Sequence, residues 1–333
     1  MIALTIWLAK LCLWLTVATR DLDNAKRILA LIDAGWPTIA VAFRNAVSRV
    51  KSQQKLLEIE NLIFQGRIDD ALLFIETIPA ATAAAVSLTF AAAANDTARL
   101  IGNVTNTPIL YDNTNPRATE QMRNNRLMLI NEFTSGQRDA TRQALIRGIE
   151  QGLNPRDQAR VFRDSIGLTA KQEQAVENYR AALERNSREA LNRELRDRRF
   201  DPSVNRALST GEPLSNTQIN LMVDRYRERY IKHRSEVIAR TESLRAVHQG
   251  VREMYEQAIN SGVIDQNELE REWDDSGDAR VRHSHSAMNE QIRAVNEPFL
   301  SGNGNLLMFP GDPSAPASDS IQCRCAVVTR FKR

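Results

Sequence analysis

The residues of this chain that could do chemistry gather near its carboxy terminus. Asp278, His285, Cys323 and Cys325 offer a carboxylate, an imidazole and two thiols. Thiolate, imidazole and carboxylate oxygen are the usual ligands of zinc. The Cys-x-Cys spacing is tighter than the two to four residues that commonly separate paired ligands in structural zinc sites. In an extended segment, alternation nevertheless puts both Cys side chains on one face. The same residues suit, as the preferred reading, reduced Cys in a hydrogen-bonded network with Asp278, Arg280, Arg282 and His285, or else a disulfide between the two Cys. Residue types alone leave the three readings open.

Covalent chemistry is the other use of such groups. Cys325 with His285 suits a nucleophile and its base. With Asp278 the set suits a metal-dependent hydrolase. His283-Ser284-His285 has the His-x-His form of some metal and phosphodiester sites, but no second motif or acidic cluster accompanies it. The chain has no Walker-type phosphate loop. Arg240-Thr241-Glu242 supplies an acid of the kind found in transferases, yet it lies inside a helical stripe. The chain is therefore expected to be a non-enzyme, with zinc as the sole cofactor to consider. Of its four His, only His285 enters this reasoning.

The elements that must hold these groups are short. Leu269 to Trp273 alternates like a strand, and Asp274 to Asp278 reads as a turn. If Asp278 to Ala287 is helical, Asp278 and Arg282 lie one turn apart and can pair, with His285 further along the same face. Phe309-Pro310-Gly311-Asp312-Pro313 has the chemistry of a tight reversal: Pro sets φ at the second position and Gly tolerates positive φ at the third. Leu306 to Phe309 and Ala326 to Thr329 read as short strands flanking Cys323-Arg324-Cys325. A turn-rich module of this kind, at the end of a helical arm, suits docking better than catalysis.

Everything upstream reads as helix. Asp21 to Leu31 and Ile39 to Phe64 carry apolar residues at three- and four-residue spacing. Gly35-Trp36-Pro37 is expected to break between them, and Gln65-Gly66 to break next. Asp69 to Ile78 predicts a short helix stopped at Pro79, and Ala80 to Ala94 an Ala-rich one able to pack closely. Gly102 to Pro116 marks a boundary. Thr119 to Gln151 predicts a long helix. Asn154-Pro155 opens the next as N-cap and first helical residue, and that helix ends at Gly167. Thr169 with Gln172 is a capping box for a helix to about Arg199. Asp201-Pro202 and Gly211-Glu212-Pro213 bracket an expected loop. Ser215 with Gln218 is a second capping box, opening a helix that stops before Gly262. Its apolar stripe includes Val237, Thr241, Leu244, Val247, Val251, Met254 and Ile259.

Composition agrees with a mainly α class. Aromatics are 6% of the 333 residues, so the core must come from Ala, Leu, Ile and Val, which favours helix against helix. Net charge is +3, from 44 basic and 41 acidic residues, which argues against a whole-surface nucleic-acid binder. Three Cys are too few for a disulfide framework. Arg180 to Arg199 and Arg225 to Arg240 are Arg-dense, with Glu at four-residue spacing in Glu189–Arg193 and Glu236–Arg240. They read as solvated helical faces or as a surface for an acidic partner, protein or packaged DNA. Residues 1–18 are the most apolar segment. Lys10 near its middle and the lack of a basic start leave three readings: a buried or partner-covered helix, a membrane span or anchor, and a signal peptide.

The expected organisation is an apolar helix at 1–18, a helical region at 19–110, a central helical arm at 111–262 and an α+β module at 263–333. Across residues 140–330 the sequence resembles the phage Mu protein F-like minor head proteins, also called phage head morphogenesis proteins. Four segments carry the resemblance in order. They are Ile166-Gly167-Leu168-Thr169 with Gln172; Ile238-Ala239-Arg240-Thr241-Glu242; Trp273, Asp278, Arg280, Arg282 and His285; and Phe309-Pro310-Gly311-Asp312-Pro313 with Cys323-Arg324-Cys325. Glu290 departs from the pattern, standing near where members often carry Gly. The resemblance implies a minor structural protein of a tailed-phage head, associated with the portal and acting in capsid assembly, DNA packaging or delivery. Its implied partners are portal, capsid and scaffold proteins. DNA contact through the Arg-rich helices and membrane contact through residues 1–18 are further expectations. The implied location is the virion, and the host cytoplasm during assembly. A membrane-associated injection protein and the metal-dependent hydrolase are the alternatives.

Overall fold

The computed structural model describes the backbone of residues 2–332, and side chains at 25–124, 135–146, 148 and 150–332. The protein is mainly α, with short antiparallel strands confined to its carboxy-terminal region. The helices are α1 (Ile2–Val50), α2 (Gln53–Phe64), α3 (Ile68–Thr105), α4 (Pro116–Glu150), α5 (Pro155–Ser165), α6 (Ala170–Glu184), α7 (Asp201–Thr210) and α8 (Asn216–Asn260), with single turns α9 (His283–Ser286) and α10 (Ala317–Ser320). The strands are β1 (Leu269–Asp274), β2 (Ile292–Arg293), β3 (Phe299–Leu300), β4 (Leu306–Leu307) and β5 (Ala326–Phe331).

Capping chemistry decides several helix ends. Asn154 accepts the amide of Asp157 and Pro155 opens α5, because Pro costs nothing where the amide would be unpaired. Both halves of the Thr169–Gln172 capping box are formed. Ser215 and Gln218 exchange the same pair of bonds at the start of α8. Gly66 and Gly262, at φ +73° each, follow α2 and α8. The side chains of the apolar segment 1–18 lie outside the described residues; its backbone from Ile2 belongs to α1.

Pro does not break the chain where local rules expect it. α1 continues through Pro37 and α3 through Pro79. An interior Pro costs about 3 kcal/mol, which tertiary contacts offset. Ile28, Ile32 and Ile39 are buried around Pro37, and Ser243 Oγ donates to the Ile32 carbonyl at 2.8 Å. Around Pro79, Leu72, Ile75, Ile78 and Ala83 are buried. The break instead falls at Lys51–Ser52, where Ser52 caps α2. Two further expectations are corrected. α6 stops at Glu184, followed by a left-handed Asn186, so residues to Arg199 form only 3-10 turns. The stretch from Asp201 is helix α7, not a loop, because Pro202 sits in its first turn and Val204 and Ala207 are buried.

The chain divides into two compact units. One comprises Ala40–Ala83 and Arg123–Glu236. Its apolar core joins Leu168, Val176, Tyr179 and Leu183 to Val204, Met222, Val223 and Tyr226. The other comprises Met1–Ile39, Ala84–Met122 and Val237–Arg333. Its apolar core runs from Ile28 and Ala93 through Val247, Val251 and Met254 to Trp273, Phe299 and Leu307. The Ala-rich segment of α3 lets α8 approach closely: a Cβ added at Gly250 would lie 2.3 Å from the Phe90 carbonyl oxygen. In the same unit β1 is central in the order β2-β1-β5, with Trp273 opposite Val327, and β3 pairs with β4. Among the described residues, α3 carries a window long and apolar enough to cross a membrane, but half of that window is buried inside the protein.

Candidate functional site

α8 is the platform for the carboxy-terminal module, and Arg240-Thr241-Glu242 lies on it. Thr241 Oγ1 donates to the Val237 carbonyl and accepts the Gln322 amide at 3.1 Å. Gln322 has φ +54°, so Thr241 holds the strained residue just before Cys323. Glu242 accepts from Arg245 Nη1 at 2.8 Å, and Arg245 Nε donates to the Gly311 carbonyl at 2.8 Å. Arg240 lies over Trp36, 4.7 Å from the ring centre. The Arg-Thr-Glu segment is therefore a clasp, and its acid is buried in an ion pair.

The clasped loop is the expected reversal. The Asp312 amide donates to the Phe309 carbonyl at 3.1 Å across Pro310 and Gly311, and Gly311 has φ +82°. Asp312 is buried and accepts the amides of Met308 and Ser314. A second staple is Arg271 on β1, whose buried guanidinium donates to the carbonyls of Ala294, Glu297 and Met308 and lies over Phe299. Burial lowers its pKa to about 10.

His285, Cys323 and Cys325 converge as their types suggested. All three are buried, and their ligand atoms lie within 4.8 Å of one another. His285 Nδ1 is 3.3 Å from Cys323 Sγ and 3.5 Å from Cys325 Sγ. Both thiols are free. They hydrogen-bond to each other, which holds the Cys323 thiol below its ordinary pKa and pushes that of Cys325 up. Trp273 packs edge-on against the imidazole at 5.6 Å.

Asp278 is not part of this cluster. Residues 278–282 are not helical, so Asp278 does not meet Arg282 as a helix would require. Its carboxylate pairs with Arg324 at the surface and accepts the Arg280 amide at 2.8 Å. Arg280 is exposed, and Arg282 donates to the Ile321 carbonyl. The carboxylate facing His285 is Asp319 from α10, with Oδ1 3.8 Å from Nε2. Asp319 is buried and accepts from Ser284 at 3.0 Å, Ser301 at 3.2 Å, Asn303 at 3.3 Å and Asn305 at 2.8 Å. Burial raises its pKa, but bonds from Asn305, Ser284 and Ser301 outweigh that and hold it below the usual carboxylate range.

Sequence reasoning missed Asp319, Arg245, Arg271 and His248. Arg245 stands at helical spacing from Glu242, but no spacing advertises its bond to Gly311 or the long-range partners of the other three. His248, set aside at first, is buried on α8: Nε2 accepts the Val327 amide and Nδ1 contacts the Leu244 carbonyl. Glu290, standing where Gly is common in the resembling family, adopts φ +62° and donates its amide to the Trp273 carbonyl.

A helical platform, a small stapled sheet and a buried His–Cys–Cys centre define the terminal module, in which Asp278 pairs with Arg324 and His285 meets both Cys. Residues 198–328 match the family model described as phage Mu protein F like protein, which supports the resemblance drawn from the motifs over that part of the chain. No curated protein and no solved structure matches the chain.

Proposed function

We propose that the protein is a minor structural component of a tailed-phage head, bound near the portal and acting in capsid assembly. The observation that supports this reading is the burial of the motif groups. Thr241, Glu242 and Arg245 are spent on holding the terminal module against α8, and Asp312 and Asp319 on bonds within that module. A substrate site would leave such groups facing a cleft. The hydrolase alternative is disfavoured for the same reason, since His285, Cys323 and Cys325 are all buried.

The partners in this reading are portal, capsid and scaffold proteins, met in the host cytoplasm and retained in the virion. DNA packaging or delivery is a wider role. For DNA, part of the charge of the Arg-rich stretches is taken up in ion pairs: Arg196 pairs with Asp201, Arg199 with Asp197, Arg225 with Glu228 and Arg227 with Glu173. Membrane contact rests on residues 1–18 and is tested by liposome binding that requires them. The assembly role is tested by affinity purification of portal and procapsids from infected cells. Co-purification of the full chain is expected, and consistent absence from both particles would defeat the reading.

A further inference from the structure

We propose that His285, Cys323 and Cys325 form a metal centre that takes one zinc ion, oriented from behind by Asp319. The spacing of the donors is the first argument. A tetrahedral zinc with bonds of about 2.3 Å to sulfur and about 2.0 Å to nitrogen separates those ligand atoms by roughly 3.6 Å. The two nitrogen–sulfur separations are 3.3 and 3.5 Å, already close to that geometry.

Valence is the second argument. Nδ1 has one lone pair, and two thiols stand against it. One thiol can donate to it directly and the other only to its fellow thiol, whereas a cation among the three engages both sulfurs and the nitrogen at once. Two thiolates also balance the charge of a divalent zinc ion. Soft sulfur donors with imidazole select zinc over magnesium or calcium.

The outer shell is the third argument. Metal-bound His residues are commonly oriented by a carboxylate on the far ring nitrogen. Asp319 stands there, fixed by Ser284, Ser301, Asn303 and Asn305. Nε2 is buried and has no partner within hydrogen-bond distance, while Asp319 Oδ1 is its facing charge at 3.8 Å. A proton on Nε2 turns toward that carboxylate and leaves the Nδ1 lone pair toward the sulfurs. Among the described residues no fourth His, Cys, Asp or Glu ligand atom joins the three. Metal binding here fastens the segment before β5 to α9, a role independent of which head protein the chain meets.

The test uses the full chain, purified under reducing conditions after zinc supplementation and analysed by elemental mass spectrometry. One zinc per chain is expected, with loss in Cys323→Ser and in Cys325→Ser and retention in Cys12→Ser. Cobalt in place of zinc is expected to give a sulfur-to-cobalt charge-transfer band that both losses abolish. If the Ser variants fail to fold, Asp319→Asn keeps all three ligands. Its zinc affinity, read by competition with a chromophoric chelator, is expected to fall about 10–100-fold. A folded reduced chain that takes up no added zinc overturns the proposal. So does zinc retained by the Cys323→Ser, Cys325→Ser double variant, or unchanged affinity in Asp319→Asn.

Discussion

His248 Nε2 accepts the backbone amide of Val327 at 3.1 Å. β5 is an edge strand, paired only with β1, so its outward amide needs a partner from elsewhere. A helix side chain supplies it. Replacing His248 with Leu keeps the volume roughly constant but strands a buried amide, at a cost of about 1–3 kcal/mol. Urea unfolding at neutral pH should show a lowered midpoint with an unchanged slope.

The same imidazole makes stability depend on pH. Burial lowers its pKa from 6.5 to about 4, against a smaller opposing effect of the Leu244 carbonyl. Between those values the unfolded chain binds more protons than the folded one, so stability falls as pH falls. The contribution is complete above about pH 6.5 and disappears toward pH 4, at up to about 1.4 kcal/mol per pH unit. Urea midpoints measured across this window should give a slope that is shallower in His248→Gln.

Two glycine substitutions should act with opposite sign. At Gly250 an added methyl would meet the Phe90 carbonyl at 2.3 Å and Ala93 Cβ at 3.2 Å. Gly250→Ala should therefore destabilise by roughly 1–3 kcal/mol through overpacking. Gly136 lies within α4 with nothing among the described residues within 4 Å of the added atom. Gly136→Ala should stabilise by up to about 1 kcal/mol, since Ala is the better helix former. Thermal melts of the two variants against the parent chain check both.

Arg271 should resist conservative replacement. Its planar guanidinium reaches the carbonyls of Ala294, Glu297 and Met308 together. Lys presents one compact ammonium and cannot span the three. Arg271→Lys should cost about 1.5–3 kcal/mol and should open the 294–308 segment to limited proteolysis. Unchanged protease resistance would remove Arg271 from its role as a staple.

The most readable features were those in which neighbours along the chain supply the force. Thr169–Gln172, Ser215–Gln218 and Asn154-Pro155 were legible because a cap and its amide lie within three residues. The Pro310-Gly311 reversal was legible for the same reason. Pro37 and Pro79 misled because their local penalty is offset by the burial of the residues around them, which no local rule records. The Cys pair and His285 were readable as a donor set by type. Their carboxylate was assigned to Asp278, the Asp nearest His285 in sequence, whereas Asp319 faces it across the module.

Residue order by itself determined the helical class, many of the caps and turns, and the donor types in the terminal module. Those follow from backbone preferences and contacts spanning a few residues. Only the tertiary structure decided which carboxylate stands behind His285, which His closes the edge of β5, and which Arg clamps the Gly311 turn. Each choice depends on the β1–β5 register and on the placement of α8 beneath the sheet. Long-range packing brings those groups together, and no spacing along the chain encodes it.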